Sequence, residues 1–336
     1  MPVLARFIFF FLLIPTVITA QSSTTKEMTW MFYNAENMFD VQDDSLTRDE
    51  AFLPDGDRYW TYGRFLKKLN HTYKVIVGVG EWNPPAVIGL AEIENRYVLE
   101  ALLRETPLHR FGYEIIHKES TDARGIDVAL LFRPDLVTIK TQEFISVELP
   151  NGRKTRDILY VHTELPSREP VHLYVNHWPS RYSGTKVSEQ SRMQAAITLA
   201  THIQTVLASE PDARILATGD FNDSPEDASM QYLIEQLPLE NVSDYQFEGT
   251  HKHQGEWGIL DQWLVSKSWF ARTSRWNVEG NRGHVYHPDW LLESDETNLG
   301  FKPYRTYVGF RYQGGFSDHL PIFIRLISPS SMSSLK

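Results

Sequence analysis

The sequence predicts one α/β domain over residues 28–327, and three observations lead there. Short, nearly continuous apolar runs recur along the chain: TWMFYNAENMF (29–39), VIGLAEIE (87–94), DVALLFR (127–133), VHLYVNH (171–177), ARILATGDF (213–221) and ILDQWLVS (259–266). Runs with little polar alternation belong to strands covered on both faces by other layers. Between them, residues 58–80, 95–105 and 187–208 carry apolar side chains at spacings of three and four, the period of an amphipathic helix. The last of these includes RMQAAITLATHIQTVL. Finally, no internal repeat and no long Pro/Gly/Ser linker divides the chain; NPP (83–85) and LP (149–150) mark turns only. Two domains split near 140–155 are the alternative.

The ends differ from this pattern. MPVLARFIFFFLLIPTVITA (1–20) has one positive charge at Arg6, an apolar run from Phe7 to Ile14, then Pro15 and a small residue at Ala20. That is the layout of a secretory signal peptide, and the run is too short to span a bilayer. A retained membrane anchor is the alternative. A polar linker (21–27) follows, and SPSSMSSLK (328–336) has the composition of a disordered tail. The mature chain is therefore expected to be secreted or periplasmic, with no transmembrane segment.

The chain holds no cysteine, which rules out disulfides, thiolate metal sites and cysteine nucleophiles. Its formal charge of −10 becomes −11 without Arg6 and argues against broad electrostatic nucleic-acid binding. It does not argue against a nuclease, because carboxylates that hold a divalent cation add negative charge while the bound metal turns the local field positive.

Small polar sets sit at the ends of these strands: Asn34 and Glu36 in YNAEN, Glu92 in GLAEIEN, Asn176 and His177, Asp220 and Asn222 in TGDFND, and Asp261. GGFSDHLP adds Asp318 and His319 near the end of the domain. Each alone is explained as a turn former or cap. Repeated at six places they are not, because a charge near a buried strand end is expensive unless paired or metal-bound. Carboxylates and side-chain amides favour a hard cation: Mg²⁺ first, with Mn²⁺ or Ca²⁺ as alternatives. There is no HExxH for zinc, and His251 and His253 in GTHKHQGE read as solvated surface. A hard cation with two histidines nearby suits phosphoryl chemistry.

In order, YNAENMFD, GLAEIEN, ARGIDVALLF, VNHWPSR, TGDFNDSP, ILDQWLVS and GGFSDHLP resemble the endonuclease/exonuclease/phosphatase superfamily over residues 33–321. The resemblance implies a four-layer sandwich of two packed mixed β-sheets flanked by helices, with the active site at one end. It implies Glu92 as principal metal ligand, with Asn34, Glu36 and Asp318 on the metal side. Asp220 and Asn222 would position water and phosphate. His319 would be the acid/base or phosphate stabiliser, oriented by Asp261, and His177 a second catalytic histidine. Beside these, Arg181 and Arg124 are candidates for gripping phosphate, with a surface ion pair as the competing explanation. Arg305, with Lys302 and Tyr307, is a candidate for lining the substrate cleft, with packed surface as the alternative; Asp127 is a loop-fixing residue, and Glu119 a candidate partner of His177 by position.

The function expected is an exported, divalent-metal-dependent phosphodiesterase, most simply a nuclease. Its partner is a phosphoester substrate, with nucleic acid among the candidates, and no stable protein partner is implied. A sphingomyelinase or phospholipase C-like enzyme and a small-phosphoester phosphatase are the alternatives. A non-catalytic binding module on the same fold is the alternative of another class, although Glu92, Asp220, Asp261, Asp318 and His319 all stand.

Overall fold

The computed structural model describes residues 26–328 except Trp82, Asn151, 182–184, Asp244 and 272–274. The expected signal peptide, residues 21–25 of the linker and residues 329–336 of the tail lie outside the described residues. One sheet contains β1 (Lys26–Met38), β2 (Val87–Ile93), β3 (Glu114–His117), β4 (Asp127–Phe132), β13 (Asn277–Val278), β14 (His284–Val285) and β19 (Ile322–Ser328). The other contains β5 (Thr138–Ile145), β6 (Ile158–Glu164), β7 (Pro170–His177), β8 (Ile215–Asp220), β9 (Leu239–Asn241) and β12 (Asp261–Ser266). Three hairpins lie outside the sheets: β10–β11 (His251–His253, Glu256–Gly258), β15–β16 (Leu292–Ser294, Phe301–Pro303) and β17–β18 (Tyr307–Val308, Arg311–Tyr312). The helices are α1 (Tyr62–Gly80), α2 (Arg96–Glu105), α3 (Thr185–Ser209) and α4 (Ala228–Gln236).

The period of two along each strand builds the layers. In β1, Trp30 and Phe32 enter a core between the sheets with Leu173, Val175, Leu216 and Trp263. Met31 and Tyr33 point the other way, onto Phe65, Leu69 and Ile76 of α1 and Leu99 of α2. The outer face of the second sheet (Tyr174, Ile215, Ala217) packs on Leu199 and Ile203 of α3 and Leu233 of α4. The result is helix, sheet, sheet, helix: a four-layer α/β sandwich. Residues from both sides of 140–155 share the central core. Among the described residues no helix is long and apolar enough to cross a membrane.

A repeat absent from the side chains is present in the backbone path. β1–α1–β2–α2–β3–β4 is ordered 1-2-4-3, and β7–α3–β8–α4–β9–β12 is ordered 7-8-12-9. Each half has one parallel pair joined over a helix, then antiparallel neighbours. The two halves therefore send equivalent strand ends to one rim: Asn34 and Asn176, Glu92 and Asp220, Asp127 and Asp261.

The outer face of β7 supports a stability prediction. His172 is buried, 2.9 Å from Tyr160 Oη and 3.3 Å from Glu210 Oε2, and stacks on His162. Burial is the largest cause that holds its pKa below the ordinary 6.5. A histidine depressed on folding binds fewer protons folded than unfolded, so its contribution is present above 6.5 and lost as pH falls toward the folded value. Thermal midpoints between pH 7 and 5 should therefore fall more steeply for wild type than for His172→Gln. Equal slopes would remove His172 as a cause.

Candidate active site

The carboxyl ends of two parallel pairs, β1/β2 and β7/β8, meet at the rim. Antiparallel β12 begins there, with Asp261 opposite Asp220, and the chain returns there before β19, where Ile322 pairs with Phe32. Asn34 Nδ2 donates to Asp220 Oδ2 at 3.1 Å and ties one sheet to the other. Gly219 permits this closeness, since a Cβ on it would lie 2.2 Å from the Asn176 carbonyl oxygen.

Backbone strain gathers at the same place. Glu36, Asn37, Glu92 and Asn222 are four of the nine non-glycine residues with positive φ among the described residues. Such conformations cost on the order of 1–3 kcal/mol each and persist where surroundings enforce them. Glu92 sits in a bulge that shifts register toward both β1 and β4, and its Oε2 accepts Asn37 N–H at 2.7 Å.

Two imidazoles flank Asp220. His319 donates from Nδ1 to Asp261 Oδ2 at 2.7 Å, which turns Nε2 toward Asp220 Oδ2, 3.7 Å away. Its backbone N–H bonds Ser317 Oγ, and that hydroxyl donates to the Asn34 carbonyl. His177 Nε2 lies 3.6 Å from the same Asp220 oxygen and 3.9 Å from Glu92 Oε1. Their electrostatics diverge. Burial opposes the charged form of His319, but Asp261 and Asp220 outweigh it and hold its pKa well above the usual value. Burial, then Arg156 and Arg124, hold His177 well below it. The two imidazoles are thus shifted in opposite directions. Asp220 itself is pushed up by burial, with His319 opposing.

The remaining expected residues divide. Asn222 is in place: its N–H bonds Asp220 Oδ1 and its Nδ2 donates to the Trp178 carbonyl. Glu36, expected among the metal donors, accepts Thr306 N–H at 2.6 Å and Tyr307 N–H at 3.3 Å, so both of its oxygens are engaged. Asp318 pairs with Arg305, which also lies 3.7 Å from Glu36. Burial opposes ionisation of Asp318, and Arg305 and His319 overcome it and lower its pKa. Arg181 bonds Asp223, Asp227 and the Asn222 carbonyl, so its guanidinium fixes the loop after β8. Arg124 is exposed and close enough to His177 to lower its pKa. Asp127 fixes its loop through Ser120 N–H and His117. Glu119 is exposed, and His177 Nδ1 has no hydrogen-bond partner among the described residues, so Glu119 does not orient it. Lys302 pairs with Glu293, and Tyr307 is buried.

Three residues at the site were not anticipated. Lys68 on α1 is buried and donates to Thr306 Oγ1 and the Phe316 carbonyl; burial lowers its pKa, with Glu36 and Asp318 opposing. A lysine inside the stripe Phe65, Leu69, Thr72, Ile76 was a visible signal. Arg156 bridges Asp122 to the His177 and Trp178 carbonyls, and no local pattern announces it. His251 corrects the expectation of solvated surface. Its ring lies 4.8 Å from that of His319, and burial pushes its pKa down to about 3. Only His253 is exposed.

The donor set suits a cation. Asp220, Asp261 and His319 offer ligand atoms within 4.8 Å of one another, and Asp261 Oδ1 is buried with no hydrogen-bond partner among the described residues. Glu92 adds a third carboxylate beside His177.

Two mixed sheets lie between helices, with carboxylates and imidazoles gathered at one rim. The family model described as "Endonuclease/Exonuclease/phosphatase family" matches residues 29–328, and the chain belongs to that family. Among solved structures it is similar to an endonuclease/exonuclease/phosphatase family protein from Bacteroides thetaiotaomicron, with 16% identity, 91% of this chain and 97% of that chain covered, and TM-score 0.58. It is also similar to the Bacteroides thetaiotaomicron mannosyl-6-phosphatase (16% identity, 89% and 99% covered, TM-score 0.58). A third is D. rerio TDP2 complexed with single strand DNA product (15% identity, 89% and 98% covered, TM-score 0.54). At these identities the likeness is one of fold. No curated protein matched. Membership of the family makes this chain a phosphoester hydrolase by class.

Proposed function

We propose that the protein is an exported, divalent-cation-dependent phosphodiesterase that hydrolyses nucleic acid by in-line attack of water. The observation that carries the chemistry is the pair of imidazoles 3.6 and 3.7 Å from one oxygen of Asp220, their pKa values shifted in opposite directions. Groups whose surroundings push their pKa values apart divide acid and base work between them.

Asp220, pinned by Asn34 and by Asn222 N–H, is placed to accept a proton from the attacking water. His319 carries a proton on Nε2 for the leaving oxygen, and Asp261 holds its tautomer through Nδ1. His177 contributes a neutral imidazole on the other side of the phosphate. Glu92 and Asn34 would hold a divalent cation, Mg²⁺ by ligand type. Such a cation supplies charge neutralisation at a non-bridging phosphate oxygen. Glu36 and Arg181 act as supports in this scheme, and Arg124 and Arg305, paired with Asp122 and Asp318, are the candidates to meet phosphate. Export rests on the character of residues 1–20.

Nucleic acid is favoured by the surface beside Glu36. Exposed Tyr59, Tyr62 and Phe310 are interleaved with Arg58, Arg64 and Lys67, and Arg58 lies over the rings of Tyr307 and Phe310. Aromatic faces among cations suit stacked bases and their phosphates. One observation favours a second substrate: the β17–β18 hairpin exposes Val308 and Phe310 at its turn, an apolar tip suited to a lipid interface. The test is one panel of plasmid DNA, RNA, sphingomyelin vesicles and small phosphomonoesters in Mg²⁺. Turnover of DNA or RNA is expected. Turnover of lipid alone would overturn the nuclease assignment, and binding of nucleic acid without turnover would make the chain a binding module.

A further inference from the structure

We propose that His251, Asp318 and His319 form a second cation site, suited to a borderline transition metal such as Zn²⁺, whose occupancy inhibits the enzyme by taking Nε2 of His319. The inhibition rests on the role proposed above for His319; the binding does not. The three residues offer ligand atoms within 4.8 Å of one another. The ligand types differ from the oxygen-rich set around Glu92. Two imidazoles with one carboxylate suit zinc and its neighbours, whereas Mg²⁺ favours oxygen.

Each ligand is held from behind. Asp261 binds Nδ1 of His319 at 2.7 Å, so Nε2 is the nitrogen left for a metal, in a carboxylate–histidine–metal arrangement. Arg305 takes Oδ2 of Asp318 and leaves the other oxygen for a cation. The hairpin carrying His251 is anchored to the rim: His251 and His319 form a backbone bridge, and Leu320 N–H donates to the Thr250 carbonyl at 2.8 Å. Thr250 Oγ1 also accepts N–H groups of Leu260 and Asp261, each at 3.1 Å. Binding would displace the Nε2 proton of His319 to solvent, and a histidine that is a metal ligand cannot deliver a proton.

Cobalt reports the site without any substrate. Metal-stripped protein is titrated with Co²⁺ in excess Mg²⁺ and the visible absorption of the bound ion recorded. Wild type should take up one equivalent that Zn²⁺ displaces, and His251→Gln should weaken uptake by more than the ~10–100-fold typical of losing a residue that only supports a ligand. His253→Gln, on the exposed end of the same strand, should bind like wild type. Without zinc, His251→Gln should keep the Mg²⁺-dependent rate, and its inhibition should need correspondingly more Zn²⁺. Equal Co²⁺ uptake by wild type and His251→Gln would overturn the site. Loss of uptake in His253→Gln would place the ion on the hairpin instead. Normal uptake with no effect on hydrolysis would overturn the inhibition alone.

Discussion

Replacing His319 with alanine should lower kcat for a phosphodiester with a poor leaving group by ~10²–10⁴-fold, the scale for a positioned acid–base group. The expectation follows from its surroundings. Asp261 fixes Nδ1, Asp220 stands 3.7 Å from Nε2, and the two carboxylates outweigh burial to raise the pKa of the ring. His319→Gln should lose nearly as much, since an amide fills similar space but cannot deliver a proton. An activated leaving group should suffer a smaller loss, because it departs without protonation. A uniform loss across leaving groups would assign His319 to phosphate binding alone.

Glu92→Gln should have the opposite signature. The amide oxygen can still accept Asn37 N–H, so the strained bulge is kept and only the charge is lost. The Mg²⁺ needed for half activity should rise by more than the ~10–100-fold caused by removing a residue that merely supports a metal ligand. Binding confined to the folded state also stabilises it, by ~2.7 kcal/mol at a hundredfold excess over Kd. Mg²⁺ should therefore raise the thermal midpoint of wild type and leave that of Glu92→Gln nearly unmoved. Identical Mg²⁺ curves for the two proteins would remove Glu92 from the metal site.

Much of this architecture was legible in the chain. The six apolar runs became β1, β2, β4, β7, β8 and β12, and the three amphipathic segments became α1, α2 and α3 within a few residues. The strand β5 was hidden because it is mostly exposed and polar, as in TIKTQEFI, so it lacks the apolar run of a covered strand. The strand β19 escaped because PIFIRLIS continues directly from the SDHLP motif. At the site, residues at strand ends were readable because a costly polar group in an apolar context is a local signal. His251 was not, because its role comes from a backbone bridge to His319, a pairing between distant segments. Arg181 carries the right charge for phosphate, yet its partners in the fold, Asp223 and Asp227, engage it, and Glu36 accepts the Thr306 and Tyr307 N–H groups. Sequence gives a residue's chemistry; which neighbour claims it is decided by packing.

The most direct test of divalent-cation-dependent phosphoester hydrolysis at this rim is turnover of bis-p-nitrophenyl phosphate by EDTA-stripped protein before and after Mg²⁺ is restored, in wild type and Glu92→Gln. Stripped wild type should be inactive, Mg²⁺ should restore it, and the variant should stay inactive at the same Mg²⁺ concentration. Turnover unchanged by EDTA, and equal in the two proteins, would contradict the assignment.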